Sequence, residues 1–320
     1  MTGVSAADWA VRYGGTTRDI YRRTLAELAA ADRRIFCLDS DMGGLEDGFQ
    51  AALPDQYVDL GIAEANMMGV AAGLAAAGKV PFVNTMAGFA SARALEQVKL
   101  DIAYHRLPVR IVVTHAGLSA GHYGPTHQSC EDVAIMRTIP NMTVVVPADT
   151  FETERAIRAA VDWPGPIYVR LGRGPTPLVH EAERDFRIGR AVPLRTGDDV
   201  AIVATGPLPV TMALAAHREL AERGVGAAVL DLHTIKPLDV EALLAVAVGR
   251  SGVVTVEDHS AIGGTGAAVA EALAEHAPAR VLRVGVPDRF CPDVGPHEYL
   301  LERSGVTVER VVEAALRLLS

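Results

Sequence analysis

Cysteine is scarce and scattered in this sequence. The 320 residues include only Cys37, Cys130 and Cys291, and no two of them form a CxxC pair. An odd number of widely separated cysteines indicates neither a disulfide framework nor a cysteine-based zinc site. We therefore expect the protein to work in a reducing compartment, with the cytoplasm as the default.

Long apolar runs and an excess of positive charge are also missing. No segment approaches the roughly 18 apolar residues of a membrane span, and residues 1–18 are polar, without the apolar stretch of a signal peptide. Lysine and arginine number 30 against 39 acidic residues, for a formal net charge of −9. Because a nucleic-acid binder needs a basic stripe, we do not expect a nucleic acid as a partner. The missing apolar run likewise means that we do not expect a membrane as a partner.

Small and aliphatic residues dominate what is present. Hydrophobic residues make up 49% of the chain and aromatic residues only 5%, which suits parallel sheets covered by closely packed helices. Short apolar runs, such as 34–38 and 109–114, alternate with helical patterns, such as 17–32 and 64–77. This alternation is typical of βαβ units.

A change of composition divides the chain. Prolines, glycines and mixed charges fill residues 172–199, which we interpret as a linker with one peripheral strand. A second series of strand and helix patterns follows. The length fits two domains, so we predict an α/β protein with domains at 1–187 and 188–320. Each domain is expected to be a mainly parallel sheet with helices on both faces.

Glu64 is the first candidate for chemistry, because it begins an otherwise apolar helix after Gly61-Ile62-Ala63. A glutamate in a first turn is also favoured by the helix dipole alone. The functional interpretation is a carboxylate in an apolar niche, where its pKa would rise and it could share a proton with a heterocyclic nitrogen.

A histidine-rich loop is the second candidate. His115, His122 and His127 follow a predicted strand, at the edge of the sheet where α/β proteins bind ligands. Metal binding is the rival interpretation, but Gly121, Gly124 and Pro125 prevent a helical ligand spacing. The segment Gly263-Gly264-Thr265-Gly266 suggests a nucleotide loop only weakly; tight packing at the start of a helix explains it better.

Eight short segments together carry a family resemblance. They are GIAE at 61–64, FASAR at 89–93, GPTHQ at 124–128, VVVPAD at 144–149, YVR at 168–170, VEDHS at 256–260, IGG at 262–264 and VPDRF at 286–290. In order and spacing the chain resembles the C-terminal half of transketolase, from about Thr16 to the last residue.

The resemblance implies a cofactor that is divided between two chains. Transketolases bind thiamine diphosphate, with the diphosphate and Mg²⁺ on one domain and the aminopyrimidine on another. The diphosphate segment, Gly-Asp-Gly followed by Asn, is absent here, whereas residues 16–185 resemble the pyrimidine domain. A separate N-terminal, diphosphate-binding subunit is therefore expected, in an α₂β₂ assembly with a site at each interface. The second domain resembles the family's C-terminal domain and is expected to support that assembly.

The same resemblance assigns roles to individual residues. Glu64 matches the glutamate that hydrogen-bonds the pyrimidine and favours the imino tautomer, which removes the thiazolium proton. Phe89 matches the aromatic residue that stacks on the pyrimidine, and Asp41 matches an acidic residue near the cofactor. His115 and His127 match histidines that exchange protons with the sugar.

Arginines complete the expected substrate site. Arg18 matches a phosphate-binding arginine, and a second is either Arg170 or Arg173, because the local alignment is ambiguous. A guanidinium group presents a planar fork to a phosphate. The sugar-phosphate substrate is expected to lie near these side chains. For an arginine taken alone, a surface charge remains the alternative interpretation.

Two positions depart from the family pattern. His122 and Tyr123 stand where most transketolases have Glu-Asp, and the aspartate contacts a hydroxyl of the donor. Tyr123 hydrogen-bonds without a charge, so the preference for donor or acceptor is expected to change. Met86 replaces a second aromatic residue near the pyrimidine, where it fills space with less specificity.

The expected function is transfer of a two-carbon ketol unit from a ketose phosphate, once the partner subunit is bound. The acceptor is an aldose phosphate or a specialised acceptor such as a carrier-protein thiol. One alternative is the β subunit of a 2-oxo-acid dehydrogenase, which shares the glutamate-bearing helix. Another is a non-catalytic scaffold, although a scaffold would not need Glu64, Phe89, His115 and His127 together.

Overall fold

A computed structural model describes residues 13–180 and 185–320. The first twelve residues of the polar N-terminus and residues 181–184 of the predicted linker lie outside the described residues. The strands are β1 Tyr13–Thr16, β2 Ile35–Asp39, β3 Tyr57–Asp59, β4 Val80–Met86, β5 Arg110–Thr114, β6 Thr143–Val145, β7 Ile167–Arg170, β8 Pro175–Pro177, β9 Val192–Arg195, β10 Val200–Thr205, β11 Ala227–Asp231, β12 Thr234–Lys236, β13 Val253–Ser260 and β14 Val281–Val286.

The helices alternate with these strands. They are α1 Thr17–Ala31, α2 Glu64–Ala76, α3 Leu95–Gln97, α4 Asp132–Thr138, α5 Thr150–Ala160, α6 Pro207–Glu222, α7 Val240–Ala247, α8 Thr265–His276, α9 His297–Arg303 and α10 Val308–Leu319. The short α3 is flanked by π-helical turns at Phe89–Arg93 and Val98–Ala103, so one helical segment runs from Phe89 to Ala103. Within the described residues, every helix is too short or too polar to cross a membrane.

Two mainly parallel sheets form the framework of the described residues. The larger has the strand order β12-β6-β7-β5-β4-β2-β3, and the smaller has the order β14-β13-β10-β11-β9. Only β12 in the first sheet and β9 in the second run antiparallel to their neighbours. A separate antiparallel ribbon joins β1 to β8. The predicted α/β architecture is therefore confirmed.

Alternate residues of the central strands enter different cores. On β5, Ile111 and Val113 pack into the core that contains Met67 and Met68 of α2. The intervening Val112 packs into the core that contains Leu25 of α1 and also α5. Because side chains of a strand point alternately to opposite faces, a strand covered by helices on both faces must be apolar throughout. This requirement explains the continuous apolar runs in the sequence.

The second half of the chain contributes a strand to the first sheet. In β12, Thr234 pairs with Val145 and Lys236 pairs with Val144 of β6. Nearby apolar residues Leu232 and Ile235 pack in the same core as β5 and α2. The linker, predicted to hold one strand, contains both β8 and β9. The two halves therefore share one edge of a sheet and one core.

Candidate active site

The predicted site residues gather at one edge of the larger sheet. The predicted Asp41 lies two residues after the end of β2 at Asp39, Met86 ends β4 and His115 directly follows β5. These three strands are neighbours and parallel, so their carboxyl ends lie side by side. Ligands of open α/β sheets bind at this edge.

Glu64 is buried at the first position of α2, where it is 1% exposed. Nη1 of Arg93 donates hydrogen bonds of 3.0 and 2.9 Å to its two carboxylate oxygens. The Arg93 guanidinium carbon also lies 4.1 Å from the centre of the Phe89 ring. A planar cation therefore stacks on Phe89 and donates to Glu64 at the same time.

An aromatic series connects Phe89 to the histidine loop. His127 meets Phe89 edge-on at 5.3 Å between ring centres, and it stacks on Tyr123 at 5.0 Å. Tyr123 lies 5.8 Å from His115 and 4.5 Å from His122. The structure thus brings all three predicted histidines and Tyr123 together with the Phe89 ring.

His115 occupies an unusual backbone position and is 4% exposed. Its φ is +58°, and Nδ1 lies 2.8 Å from Oγ1 of Thr114. Burial, with the positive charges of Arg173 and Arg18, lowers the pKa of the imidazole to about 3. His115 is therefore neutral at physiological pH and acts there as a hydrogen-bonding group.

A cavity of about 620 Å³ lies beside the histidine loop, between the two halves of the chain. Arg18, His122 and Arg173 line it from the first half, and Asp258 and His297 line it from the second. Within this group, Nη1 of Arg173 is 2.9 Å from Nδ1 of His122, and its guanidinium lies 5.4 Å from the Tyr123 ring. Arg173 therefore connects the cavity to the aromatic series.

Arg170 has a different environment, although it also reaches the wall of this cavity. Its Nε donates to both oxygens of Asp132, at 2.9 and 3.1 Å, and its Nη2 donates to the Asp258 carbonyl at 2.8 Å. Asp132 is fully buried and also accepts a hydrogen bond from Tyr168. These partners hold the Arg170 guanidinium within the fold.

Two predicted cofactor neighbours lie at the rim of the site. Asp41 is exposed with φ +57°, and Met86 is half-buried at the end of β4. The buried carboxyl nearby is that of Asp39, which accepts a hydrogen bond from the Tyr57 hydroxyl at 3.1 Å. Burial raises the pKa of Asp39 to about 6.

Comparison with known proteins identifies the family of the chain. The family model described as "Transketolase, pyrimidine binding domain" matches residues 14–177, and that described as "Transketolase, C-terminal domain" matches residues 189–311. The chain belongs to the transketolase family.

Several transketolase relatives are similar in length to this chain. It is 45% identical to the 6-deoxy-6-sulfo-D-fructose transketolase subunit SqwH of Clostridium sp. (strain MSTE9), over 93% of this chain and 92% of the relative. It is 41% identical to one of the subunits of the apulose-4-phosphate transketolase of Phocaeicola vulgatus, over 90% and 94%. The chain is therefore similar over nearly its whole length to proteins described as transketolase subunits.

Solved structures of transketolases also superpose on this chain. A split-gene transketolase described as an inactive β4 tetramer superposes with a TM-score of 0.86 and 42% identity, over 96% of this chain and 98% of the other. The transketolase of Leishmania mexicana gives a TM-score of 0.78 and 26% identity, and the match covers 97% of this chain but 47% of that one. The chain thus spans about half of that longer transketolase.

Within this transketolase fold, the sequence pattern did not indicate the role of Arg93. The segment FASAR carries part of the family resemblance, but a half-exposed arginine on a helix is ordinarily a surface charge. The available signal was its position four residues after Phe89, since residues four apart lie on one face of a regular helix.

The sequence pattern likewise gave no role to Asp258, which anchors the histidine loop. Its carboxylate accepts a hydrogen bond from the Leu118 amide at 3.1 Å and lies 2.8 Å from Nε2 of His297. A Cβ on Gly117, whose φ is +60°, would lie 2.0 Å from the Asp258 carboxylate. The loop therefore needs glycine at this position.

The glycine-rich segment at 263–266 begins helix α8. The buried carboxylate of Glu257 accepts hydrogen bonds from the Thr265 and Gly266 amides, at 2.6 and 2.9 Å. A Cβ on Gly264 would lie 2.2 Å from an oxygen of Glu257. The prediction of tight packing at the start of a helix is confirmed, and an internal carboxylate takes the place that a phosphate has in a nucleotide loop.

Proposed function

We propose that this chain is the subunit of a split transketolase that binds the pyrimidine end of thiamine diphosphate. Together with a subunit that binds the diphosphate and Mg²⁺, it transfers a two-carbon ketol unit from an anionic ketose to an acceptor. The observation that carries this proposal is the Arg93 guanidinium, which stacks on Phe89 at 4.1 Å and donates to both oxygens of Glu64.

The position of Arg93 supports the fit of an aminopyrimidine. A guanidinium and a pyrimidine are both flat, and both can stack on an aromatic ring while donating to a carboxylate. Arg93 is 48% exposed at its side chain, so it can swing towards solvent when a ring takes its place. Glu64 would then share a proton with a ring nitrogen, and Phe89 would set the plane of the ring.

The reactive chemistry would belong to the bound cofactor, which would supply a carbon acid whose deprotonated form is the nucleophile for a ketose carbonyl. Neutral His115 positions a sugar hydroxyl, because its low pKa prevents a charge at physiological pH. His127 lies against Phe89, between the pyrimidine position and Tyr123. This position supports our proposal that His127 exchanges a proton with the substrate.

The anionic end of the substrate is assigned to Arg173 and Arg18 at the cavity between the two halves. Arg173 contacts His122 and Tyr123, whereas the Arg170 guanidinium is held by Asp132 and two carbonyls. Relatives described for a sulfo-sugar and for a sugar phosphate favour an anionic ketose as the donor. The acceptor is proposed as an aldose phosphate, with a carrier-protein thiol as the specialised alternative.

The test is co-purification of this chain with its diphosphate-binding partner, expected as an α₂β₂ assembly. Calorimetry measures thiamine diphosphate binding, and product detection measures cleavage of ketose phosphates. We expect both activities in the pair and neither in this chain alone. Glu64→Gln should bind the cofactor weakly and lose turnover by about 10²-fold or more. Glu96→Gln, at an exposed glutamate of α3, is the matched control and should behave as wild type.

Other outcomes would replace the proposal. If the pair decarboxylates a 2-oxo acid and does not cleave ketoses, the chain is the β subunit of a 2-oxo-acid dehydrogenase type of enzyme. If the pair assembles but never binds the cofactor, the chain is a scaffold. Full turnover by Glu64→Gln would show that the carboxylate has another role.

A further inference from the structure

Four buried ionisable side chains converge at the junction of the two halves, away from the proposed active site. Glu152 comes from α5, His180 from the segment after β8, Asp231 from the end of β11, and His233 from the turn before β12. Each is at most 9% exposed. None of them has a part in the proposed ketol transfer.

The distances within this cluster suit a metal ion. Nε2 of His180 is 2.7 Å from Oδ2 of Asp231 and 3.6 Å from Oε1 of Glu152. Nε2 of His233 is 3.8 Å from the same Glu152 oxygen. Ligands about 2.0–2.2 Å from a tetrahedral zinc ion lie roughly 3.3–3.5 Å from one another. Ligand atoms of Glu152, His180 and Asp231 all lie within 4.8 Å of one another, so small movements would place these three around one ion. His233, which is close to Glu152 alone among the distances given, would need a larger rotation to supply the fourth ligand.

Hydrogen bonds outside the cluster orient its members. Oε2 of Glu152 accepts from the Ala148 amide at 2.6 Å, which leaves Oε1 facing the two histidines. Nδ1 of His233 is 2.8 Å from Oγ1 of Thr234. Such second contacts fix the orientation of metal-binding side chains.

An unsatisfied nitrogen points into the cluster. Among the described residues, Nε2 of His233 has no hydrogen-bond partner of normal geometry, although the residue is 0% exposed and its ring also interacts with the backbone of Arg190. Leaving a buried polar atom unpaired is unfavourable. An ion bound between His233 and Glu152 would satisfy this nitrogen.

Charge and space agree with a divalent cation. Two carboxylates and two neutral imidazoles around a divalent ion give a net charge of zero, which avoids the cost of unpaired buried charge. A cavity of about 10 Å³ is lined by Glu152 and His180, and also by Arg155, Asp185 and Phe186. A cavity of this volume holds about one water molecule or one small ion. It lies between two of the proposed ligands and side chains that are partly exposed.

We propose that Glu152, His180, Asp231 and His233 form a structural binding site for a divalent transition-metal ion, with zinc preferred. Nitrogen and carboxylate ligands in a closed, four-coordinate arrangement are typical of zinc. The site joins α5, the segment after β8 and the end of β11. Zinc would therefore hold the two halves of the chain together.

The experiment uses the purified full chain, stripped with a chelator and then titrated with Zn²⁺ or Co²⁺. We expect one equivalent per chain, the intense visible absorption of tetrahedral cobalt, and a rise in the thermal midpoint on adding Zn²⁺. His233→Phe and Glu152→Gln should each lower zinc affinity by at least about tenfold. His217→Gln is the matched control, because this partly buried histidine bonds the Ala227 carbonyl elsewhere.

Three results would overturn the proposal. They are the failure of Zn²⁺ to bind at micromolar concentration, the weak absorption of octahedral cobalt, and undiminished binding in folded Glu152→Gln. Circular dichroism verifies folding, and if His233→Phe unfolds, the nearly isosteric Glu152→Gln decides the question. No readout depends on ketol transfer, so the result is independent of the proposed function.

Discussion

Replacing Arg170 with methionine should destabilise the protein far more than replacing Arg173. The Arg170 guanidinium donates to Asp132 at 2.9 and 3.1 Å and to the Asp258 carbonyl at 2.8 Å. Without Arg170, the buried Asp132 carboxylate keeps the hydrogen bond from the Tyr168 hydroxyl but loses the two from the guanidinium. Removing one partner of a buried ion pair costs about 3–5 kcal/mol. At about 2–4 °C per kcal/mol, the thermal midpoint should fall by roughly 6–20 °C.

Arg173→Met should have the opposite profile. Its side chain is only half-buried and contacts His122 and Tyr123, so the stability cost should stay below about 1 kcal/mol. A hydrogen bond to a charged substrate group contributes about 1.5–3 kcal/mol, so KM for an anionic ketose should rise about 10- to 150-fold.

Urea unfolding of the chain and steady-state kinetics of the assembled pair measure the two effects. Asp132→Asn combined with Arg170→Met should recover part of the lost stability, because no unpaired charge is then buried. If the free energy of unfolding of Arg170→Met lies within about 1 kcal/mol of the wild-type value and KM rises, then Arg170 binds the substrate and the buried ion pair does not stabilise the fold.

Three further changes test other parts of the site. His115 has a pKa of about 3 when folded, so the native state binds fewer protons than the unfolded chain, and stability should fall as the pH drops below about 6.5. Between pH 7 and pH 4, the shifted pKa of His115 should lower the free energy of unfolding by about 3 kcal/mol. His115→Asn should therefore lose less stability than wild type over this pH range. Equal losses of the two proteins in urea titrations would contradict the assignment. Tyr123→Asp should change the relative kcat/KM of ketose phosphates by about tenfold, the value of one hydrogen bond; an unchanged ranking across a donor panel would show that Tyr123 does not select the donor. Gly117→Ala should cost more than about 1 kcal/mol, because it adds a clash with Asp258 to a positive φ. Gly78→Ala, with φ +82° and nothing within 4 Å, is its control for the backbone effect alone, and equal losses in the two variants would disprove the clash.

The regular elements were predictable because their apolar patterns are local. The strand expected at 34–38 appears as Ile35–Asp39, and the helix expected at 64–77 appears as Glu64–Ala76. The strand β12 has only three residues, and it pairs with β6 about ninety residues earlier in the chain. A pairing of this kind depends on tertiary packing, which a local pattern does not contain.

The site was predictable only where its residues stand in local sequence motifs. Glu64 and Phe89 stand in recognisable segments, whereas the pairing of Glu64 with Arg93 depends on how two helical segments pack. The ambiguity between Arg170 and Arg173 also needed three dimensions. Both lie in one short stretch of sequence, and only the fold places one against Asp132 and the other against His122.

Because the second half contributes strand β12 to the first sheet, the polypeptide cannot be divided freely between the halves. A chain cut near residue 188 would lose the partner of β6 and with it Leu232 and Ile235 from the core. The exposed edge of β6 would then be free to pair with other chains and aggregate. A chain divided in the linker should therefore give a first half that is less stable and more prone to aggregate than the same residues in the full chain.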